Sequence, residues 1–284
     1  MEEKNKIEKS VLYLVGTPIG NLSDISERAL KTLSEVDFIA AEDTRNSQKL
    51  LMAYGIKKEL VSYHEHNKTE SGERITARLL NGESCALITD AGMPAISDPG
   101  EDLTRLCAER GIKVSVVPGA CALVSALALS ALKTRRFAFE GFLSAKQSER
   151  RRALENISSE ERTIVFYEAP HKLVKTLRDM AEILGENRKI SLCREITKLN
   201  EDVHRTTLKE ALAYYEEREP RGEYVLVVEG AEKKDEYDAS LTPHEEIDRY
   251  VENGMAKMDA IKIVAKERKI PKSELYKSYI EREK

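Results

Sequence analysis

The stretch CALITDAGMPAISDPGEDLTRLCAERGIKVSVVPG (Cys85–Gly119) decides the fold. It opens on the apolar run Cys85–Thr89, passes through a long loop into a helical pattern over Glu101–Arg110, and closes on the strand-like run Lys113–Val117. Strands apolar along their whole length, joined by crossover helices, read as a parallel sheet covered on both faces. Gly111 follows the helical pattern, where a left-handed cap favours glycine.

The alternation repeats on either side. Upstream, strands are expected at Val11–Val15, Asp37–Ala41 and Glu59–Ser62, with helices near Ile25–Leu33, Arg45–Ala53 and Gly72–Leu80; Gly55 and Gly82 follow helices as Gly111 does. Ala120–Leu129 is a further helix of small and apolar residues. Leu132–Arg136 reads as a boundary, and a second α/β set follows: strands Phe137–Phe142, Thr163–Tyr167, Ile190–Arg194 and Tyr224–Glu229, with helices near Gln147–Asn156, His171–Leu184 and Leu208–Glu217. EKKDEYDAS then reads as a linker, and Thr242-Pro243-His244-Glu245 as a capping box with proline at the first helical position. Helices to about Asn253, near Lys257–Arg268 and from Pro271 complete a helix-turn-helix-like module, with Met258, Ile261, Val264 and Ala265 as one apolar stripe. The fold class is therefore α/β, in two α/β domains (1–131 and 132–231) and a small helical module with its linker (232–284).

With 41% hydrophobic and 34% charged residues, the 284-residue chain has the composition of an ordinary globular protein, and no run approaches a membrane span. The opening MEEKNKIEKS leads into too short an apolar run for a signal-peptide core. Cys85, Cys107, Cys121 and Cys193 are scattered in apolar runs, which suits buried free thiols and a reducing cytoplasm. The net charge of −4 does not advertise nucleic acid, but Lys146–Arg152 and Lys257–Lys277 are locally basic. Each is a solvated helix face or a phosphate contact.

Ligands of open α/β sheets bind at the carboxyl ends of the strands. The first strand ends in Gly16-Thr17-Pro18-Ile19-Gly20-Asn21, which is not the dinucleotide spacing. The fourth runs into Thr89–Gly100, with two glycines and two prolines beside Asp90. The fifth ends in Val117-Pro118-Gly119-Ala120, where small residues leave helix N–H groups open to a ligand. No P-loop lysine is present, so nucleotide hydrolysis is not favoured.

Taken in order, GTPIGNLSDI, AEDTR (Ala41–Arg45), TDAGMPAISDPG, VPGA, GFL (Gly141–Leu143), FYEAPH (Phe166–His171), REITK (Arg194–Lys198) and GEYVLVVEG (Gly222–Gly230) resemble the small-subunit ribosomal RNA 2'-O-ribose methyltransferases of the tetrapyrrole-methylase superfamily. The resemblance spans about Val11 to Gly230 and the C-terminal helices. It departs at Lys172, Ser144 and Ala131, where Arg, Pro and Gly are expected; Lys at 172 keeps charge but loses the bidentate fork. The resemblance implies S-adenosylmethionine in a cleft between the two α/β domains, lined by Ile19, Met93, Pro94, Ile96, Gly119, Ala120 and the Glu168–Pro170 loop with Ala169. It further implies a cytidine ribose in small-subunit RNA as the acceptor, a homodimer, and an RNA role for the C-terminal helices.

A ribose hydroxyl is a weak nucleophile until a base takes its proton. Glu42, Asp43, His64, His66, Asp90 and Glu168 are all expected at strand ends, with Asp43, Asp90 and Glu168 the catalytic candidates and Asp43 preferred. Each has a plain alternative: Asp43 caps the helix from Thr44, Asp90 orients its own loop, and Glu168 caps the helix after Pro170. Arg45, His64, His66, Arg150 and Arg151 are the candidates for contact with RNA. His64 and His66 alternate as two metal ligands would, but no third ligand accompanies them and no metal is expected. Arg194, Glu195 and Lys198 read as an ion-pair network at the domain junction or as RNA contacts. Competing readings are a small-molecule methyltransferase on the same fold, a non-catalytic RNA-binding assembly protein, and, least favoured, a DNA-binding regulator.

Overall fold

The computed structural model describes residues 6–232, 240–268 and 270–282. Residues 233–239 of the expected linker (232–240), part of the charged N-terminus and Lys269 lie outside the described residues. The chain divides into two compact units, Met1–Ala231 and Glu232–Lys284.

The first unit begins with five parallel strands, β1 (Val11–Val15), β2 (Phe38–Ala41), β3 (Glu59–Ser62), β4 (Cys85–Ile88) and β5 (Lys113–Val117), in the order β3-β2-β4-β1-β5. Helices α1 (Glu27–Glu35) and α2 (Thr44–Ala53) cover one face, where Ala29, Leu33 and Leu51 pack on Val15, Ile39 and Ile88. Helices α3 (Lys68–Leu80) and α4 (Gly100–Glu109) cover the other, where Ile75, Leu79 and Leu103 pack on Leu12, Phe38 and Leu87. Burial on both faces is why these strands lack a polar alternation.

Helix α5 (Ala122–Leu129) leads to a second sheet of β6 (Phe137–Phe142), β7 (Thr163–Glu168), β8 (Lys189–Arg194), β9 (Asp202–Thr207) and β10 (Tyr224–Val228), in the order β6-β7-β10-β8-β9. Only β6 and β7 are parallel; β10 runs antiparallel to both β7 and β8, and β9 antiparallel to β8. Helices α6 (Gln147–Asn156), α7 (Pro170–Leu184) and α8 (Leu208–Glu216) pack on one face. The other face receives α5, whose Leu123, Ala126 and Leu127 meet Val165, Cys193, Val225 and Val227. Helix α5 thus belongs to the second sheet's packing although the sequence groups it with the first.

The basic run on α6, expected as a solvated face or a phosphate contact, is largely turned onto α7 at Arg150 and Arg151. Arg150 is buried, its Nε donating to Asp179 Oδ2 at 2.7 Å and its Nη1 to the carbonyls of Ser144 and Ala145. Arg151 reaches Asp179 and Glu182. Arg150 is therefore unavailable to RNA and Arg151 is largely engaged, because both turn onto α7 rather than into solvent.

In the second unit, α9 (Pro243–Glu252) starts with the expected capping box of Thr242 and Glu245 and packs with α10 (Lys257–Glu267) and α11 (Lys272–Arg282). The core is Ile247, Ala260, Ile261, Val264, Ala265, Leu275 and Tyr279. Met258, expected in the stripe, is exposed, and Ala260 faces inward.

Asp179→Ala would leave the Arg150 guanidinium buried without its counter-ion. The expected loss is about 3–5 kcal/mol, read by urea unfolding at neutral pH. Ala131 has φ +61°, at the position where the resemblance expects glycine. Ala131→Gly is expected to stabilise the protein by about 1 kcal/mol in the same assay, since a left-handed L-residue carries a steric penalty of that order.

Candidate active site

In a parallel sheet every carboxyl end lies along one edge, and the loops there are fastened backbone to backbone. A Cβ on Gly16 would stand 2.7 Å from Gly119 Cα, and one on Gly119 would stand 2.8 Å from Gly16 O. Only glycine fits either position. Gly16 N–H donates to Val117 O at 3.0 Å, and Thr17 exchanges both backbone hydrogen bonds with Gly92, at 2.9 and 3.1 Å. The loops after β1, β4 and β5 therefore form one rigid wall.

Asp98 ties the rest of the loop after β4. One of its carboxylate oxygens accepts from Ala95 N at 3.0 Å and Gly100 N at 2.7 Å, and the other from Ile96 N at 3.3 Å. Ala95 and Ser97 are held left-handed between these bonds, at φ +66° and +64°. Glu195 and Thr197 in the loop after β8 are left-handed too, at +52° and +68°. Such conformations cost about 1–3 kcal/mol each and cluster at working sites.

The second sheet supplies the facing wall. Because β10 is antiparallel, its first residues meet the carboxyl ends of β7 and β8, and Tyr224 lies opposite both Glu168 and Arg194. Between the walls is a cleft of about 530 Å³. Its apolar lining includes Ile19, Met93, Tyr167, Cys193, Ile196 and Val225, and its polar lining includes Asp90, Ser97, Glu195 and Lys198. Lys198 binds Glu195 at 2.8 Å and Glu223 at 2.7 Å while its stem lies over the space a side chain at Gly20 would need. Of the network expected at the junction, Glu195 and Lys198 are paired and Glu223 joins them, whereas the Nε of Arg194 is buried without a hydrogen-bond partner among the described residues. Burial pushes the Tyr167 phenol up to about 12, and its oxygen accepts from Leu123 N at 3.3 Å.

Of the residues expected here, Ile19, Met93, Ile96, Ala169, Pro170, Asp90 and Glu168 line the cleft. Pro94, Gly119 and Ala120 do not: Gly119 is backed against Gly16, and Cys121 and Ala122 take the lining positions instead. Asp43, Arg45, His64 and His66 also stand outside the lining.

Asp43 caps α2, accepting from Arg45 N at 2.8 Å and pairing with the Arg45 guanidinium at 3.0 Å. The Arg45 side chain, then its backbone N–H, hold the carboxyl down at about 2. An acid that weak as a base, outside the cleft, does not fit the preferred catalytic role. Glu168 lines the cleft with both carboxylate oxygens engaged. It is buried, with one oxygen accepting from Ala169 N at 2.9 Å and pairing with Lys172 at 2.9 Å, and the other accepting from Thr176 Oγ1 at 2.5 Å. Lys172 also donates to Leu143 O at 3.1 Å, so the pair clamps the loop after β6 to the start of α7. Asp90 is different: it is exposed, and among the described residues its carboxylate accepts a single hydrogen bond, from Asn46 at 3.4 Å. Nearby, Glu42 accepts from Thr89 Oγ1 at 2.9 Å. His64 is half-buried, its Nδ1 without a partner, and His66 is exposed 6.0 Å away, ring to ring.

Sequence reasoning missed Tyr167, Cys193, Ile196 and Val225 as lining. They lie in or beside FYEAPH, REITK and GEYVLVVEG, and those motifs were the available signal.

Residues 11–212 match the family model of tetrapyrrole (corrin/porphyrin) methylases. The chain belongs to that family. It is 48% identical over 276 residues to ribosomal RNA small subunit methyltransferase I of Halalkalibacterium halodurans, covering 96% of this chain and 95% of that protein. It is 44% identical over 274 residues to the protein of the same name from Synechocystis, covering 96% and 98%. Among solved structures, a uroporphyrin-III C-methyl transferase from Thermus thermophilus, complexed with S-adenyl homocysteine, superposes with a TM-score of 0.55 at 17% identity, covering 77% of this chain and 96% of that one. At that identity the likeness is one of fold.

The Asp43 carboxyl is expected to titrate at about 2 by carbon-detected NMR, and Arg45→Ala is expected to return it toward the ordinary carboxylate range. Since the folded value is depressed, its contribution to stability is present above the ordinary carboxylate range and is lost as pH falls through about 2.

Proposed function

We propose that this protein transfers a methyl group from S-adenosylmethionine to the 2'-hydroxyl of a cytidine ribose in small-subunit ribosomal RNA, in the cytoplasm and as a homodimer. The observation that carries the reading is a rigid cleft with one accessible, weakly held carboxylate, Asp90, at the carboxyl edge of the parallel sheet. It occurs in a chain 48% identical, over nearly its whole length, to a ribosomal RNA small subunit methyltransferase I. The homodimer, the cytoplasm, the 2'-oxygen and the cytidine follow from the sequence resemblance. No helix among the described residues is long and apolar enough to cross a membrane.

The residues present fit the cofactor. Ile19, Met93, Tyr167 and Val225 offer apolar surface to an adenosyl group. Glu195 suits its cationic ammonium, and the glycine-built wall lets a ligand approach backbone groups closely. The cofactor, when bound, supplies a methyl group on a sulfonium, already an activated leaving group.

The protein's own part is to position and to accept a proton. The loops fixed by Gly16, Gly119 and Asp98 hold one partner still while the acceptor oxygen is brought into line, and positioning of this kind is worth up to about 7–11 kcal/mol. Asp90 accepts the hydroxyl proton as the bond to carbon forms. Glu42 and Asn46 flank it, and the Asn46 amide orients its carboxylate. Tyr167, neutral to about 12, contributes shape and an apolar face rather than charge. Glu168 and Lys172 keep the opposite wall in register.

A small-molecule acceptor is the competing reading, since solved structures of the fold include a uroporphyrin-III-C-methyltransferase and a cobalt precorrin-4 methyltransferase. Their identities of 20% or less carry the fold alone, whereas the full-length relatives favour RNA.

Radiolabelled methyl transfer to purified small subunits lacking their own methylation, followed by nucleoside analysis, tests the reading. Label is expected in 2'-O-methylcytidine; label confined to a base or to no RNA at all would overturn it. Asp90→Asn is expected to lower kcat by roughly 10²–10⁴-fold while cofactor affinity stays level.

A further inference from the structure

Most arginines of the first unit are engaged: Arg78 by Glu59 and Glu83, Arg110 by Glu73, Arg150 by Asp179, Arg178 by Glu216. Lys133, Arg135 and Arg136 are the contrast. All three are exposed, and their side chains make no hydrogen bond or ion pair among the described residues. The segment that carries them is held before and after: at Ser130, Leu132 and Lys133, and by β6, which begins at Phe137. Ser191 Oγ donates to Ser130 O at 2.7 Å, Leu132 N donates to Ser130 Oγ at 3.1 Å, and Thr163 Oγ1 donates to Lys133 O at 2.6 Å. Free cationic ends on a segment held at both sides are what a preorganised anion site needs.

These residues open onto a second cleft, of about 770 Å³, whose lining also includes Arg162, Asn156 and Ser159. Glu160 and Glu161 are its acids, and Glu160 is taken by Arg162 at 2.7 Å. Four cations thus face two carboxylates, one of them already neutralised. The cleft lies where β7 begins, at Thr163, while β7 ends at Glu168 on the methyl-transfer cleft. At about 3.3 Å per residue, the strand separates the two by about 17 Å.

The geometry points to a second anchor for the substrate: Lys133, Arg135 and Arg136 bind backbone phosphates of the RNA whose reacting ribose sits in the first cleft. This rests on the RNA reading above. An extended polyanion is the ligand that reaches both clefts at once, and the planar guanidinium forks of Arg135 and Arg136 match phosphate oxygens. The anchor is indifferent to sequence: it sets where the strand lies, and base recognition belongs elsewhere.

The test uses the full chain and a transcript of small-subunit ribosomal RNA. Lys133→Ala/Arg135→Ala/Arg136→Ala removes three exposed side chains without touching the bonds that hold the segment, and its thermal unfolding is expected to match the parent. The slope of log affinity against log salt should become shallower by about 2, since each single-strand phosphate contact contributes about 0.7. KM for RNA should rise at least tenfold while kcat at saturating RNA and cofactor affinity hold. Arg135→Lys/Arg136→Lys, which keeps the charge, should retain the parent slope. An unchanged slope and KM in the triple variant would overturn the anchor. The two readings fail separately: a parent that binds RNA steeply with salt but transfers no methyl would sink the methyl-transfer reading, while the anchor is judged on the slope.

Discussion

The contact on which the rest depends is backbone against backbone, Gly16 on Gly119, with no room for a side chain on either. It lets the loops after β1 and β5 lie backbone on backbone, closer than any residue with a side chain would allow. The pairing of Thr17 with Gly92 then extends the same wall to the loop after β4. Without it the carboxyl edge of the first sheet would carry three independent loops. With it the edge carries one surface, and the side chains that project from it, Ile19, Met93 and Asp90, keep fixed mutual positions. Catalysis by alignment requires that kind of stiffness, because a small misplacement of one partner is enough to lose the in-line geometry.

Stiffness on one wall has its counterpart in strain on both rims. Ala95 and Ser97 after β4 and Glu195 and Thr197 after β8 are four L-residues in a backbone region that glycine occupies more cheaply, and Ser97 and Glu195 line the cleft. Asp98 compensates on one side with three amide bonds, and the Lys198 ion pairs on the other. The Glu168–Lys172 pair is a third clamp. Lysine at 172 proves sufficient there because its partners are a single carboxylate oxygen and a carbonyl, not a pair of oxygens that would call for a guanidinium.

The first sheet was legible because its strands are buried on both faces and its helices end in glycine; Gly55, Gly82 and Gly111 all take the left-handed conformation expected of them. The strand β9 was missed for the opposite reason. DVHRTT is an edge strand with polar residues on both sides, so it carries neither an apolar run nor a clean alternation. The direction of β10 was equally invisible, and with it the arrival of Tyr224 and Val225 at the cleft. Half of the candidate site was readable as motifs, but the roles inside those motifs were not. Asp43 and Asp90 look alike in sequence; a neighbouring guanidinium engages one and leaves the other accessible. Arg150 and Arg135 look alike too, until helix packing turns the first inward against Asp179 and leaves the second in water.

The glycine contact has a consequence in the genetic code. Every glycine codon shares its first two bases, and any single-base change that alters the residue yields an amino acid bearing a Cβ or a stop. At positions 16 and 119 each such change puts a carbon within 3 Å of the opposing backbone. Neither glycine therefore has a one-step escape: a lineage that moved away from this pair would have to remodel both loops together, and the cleft with them.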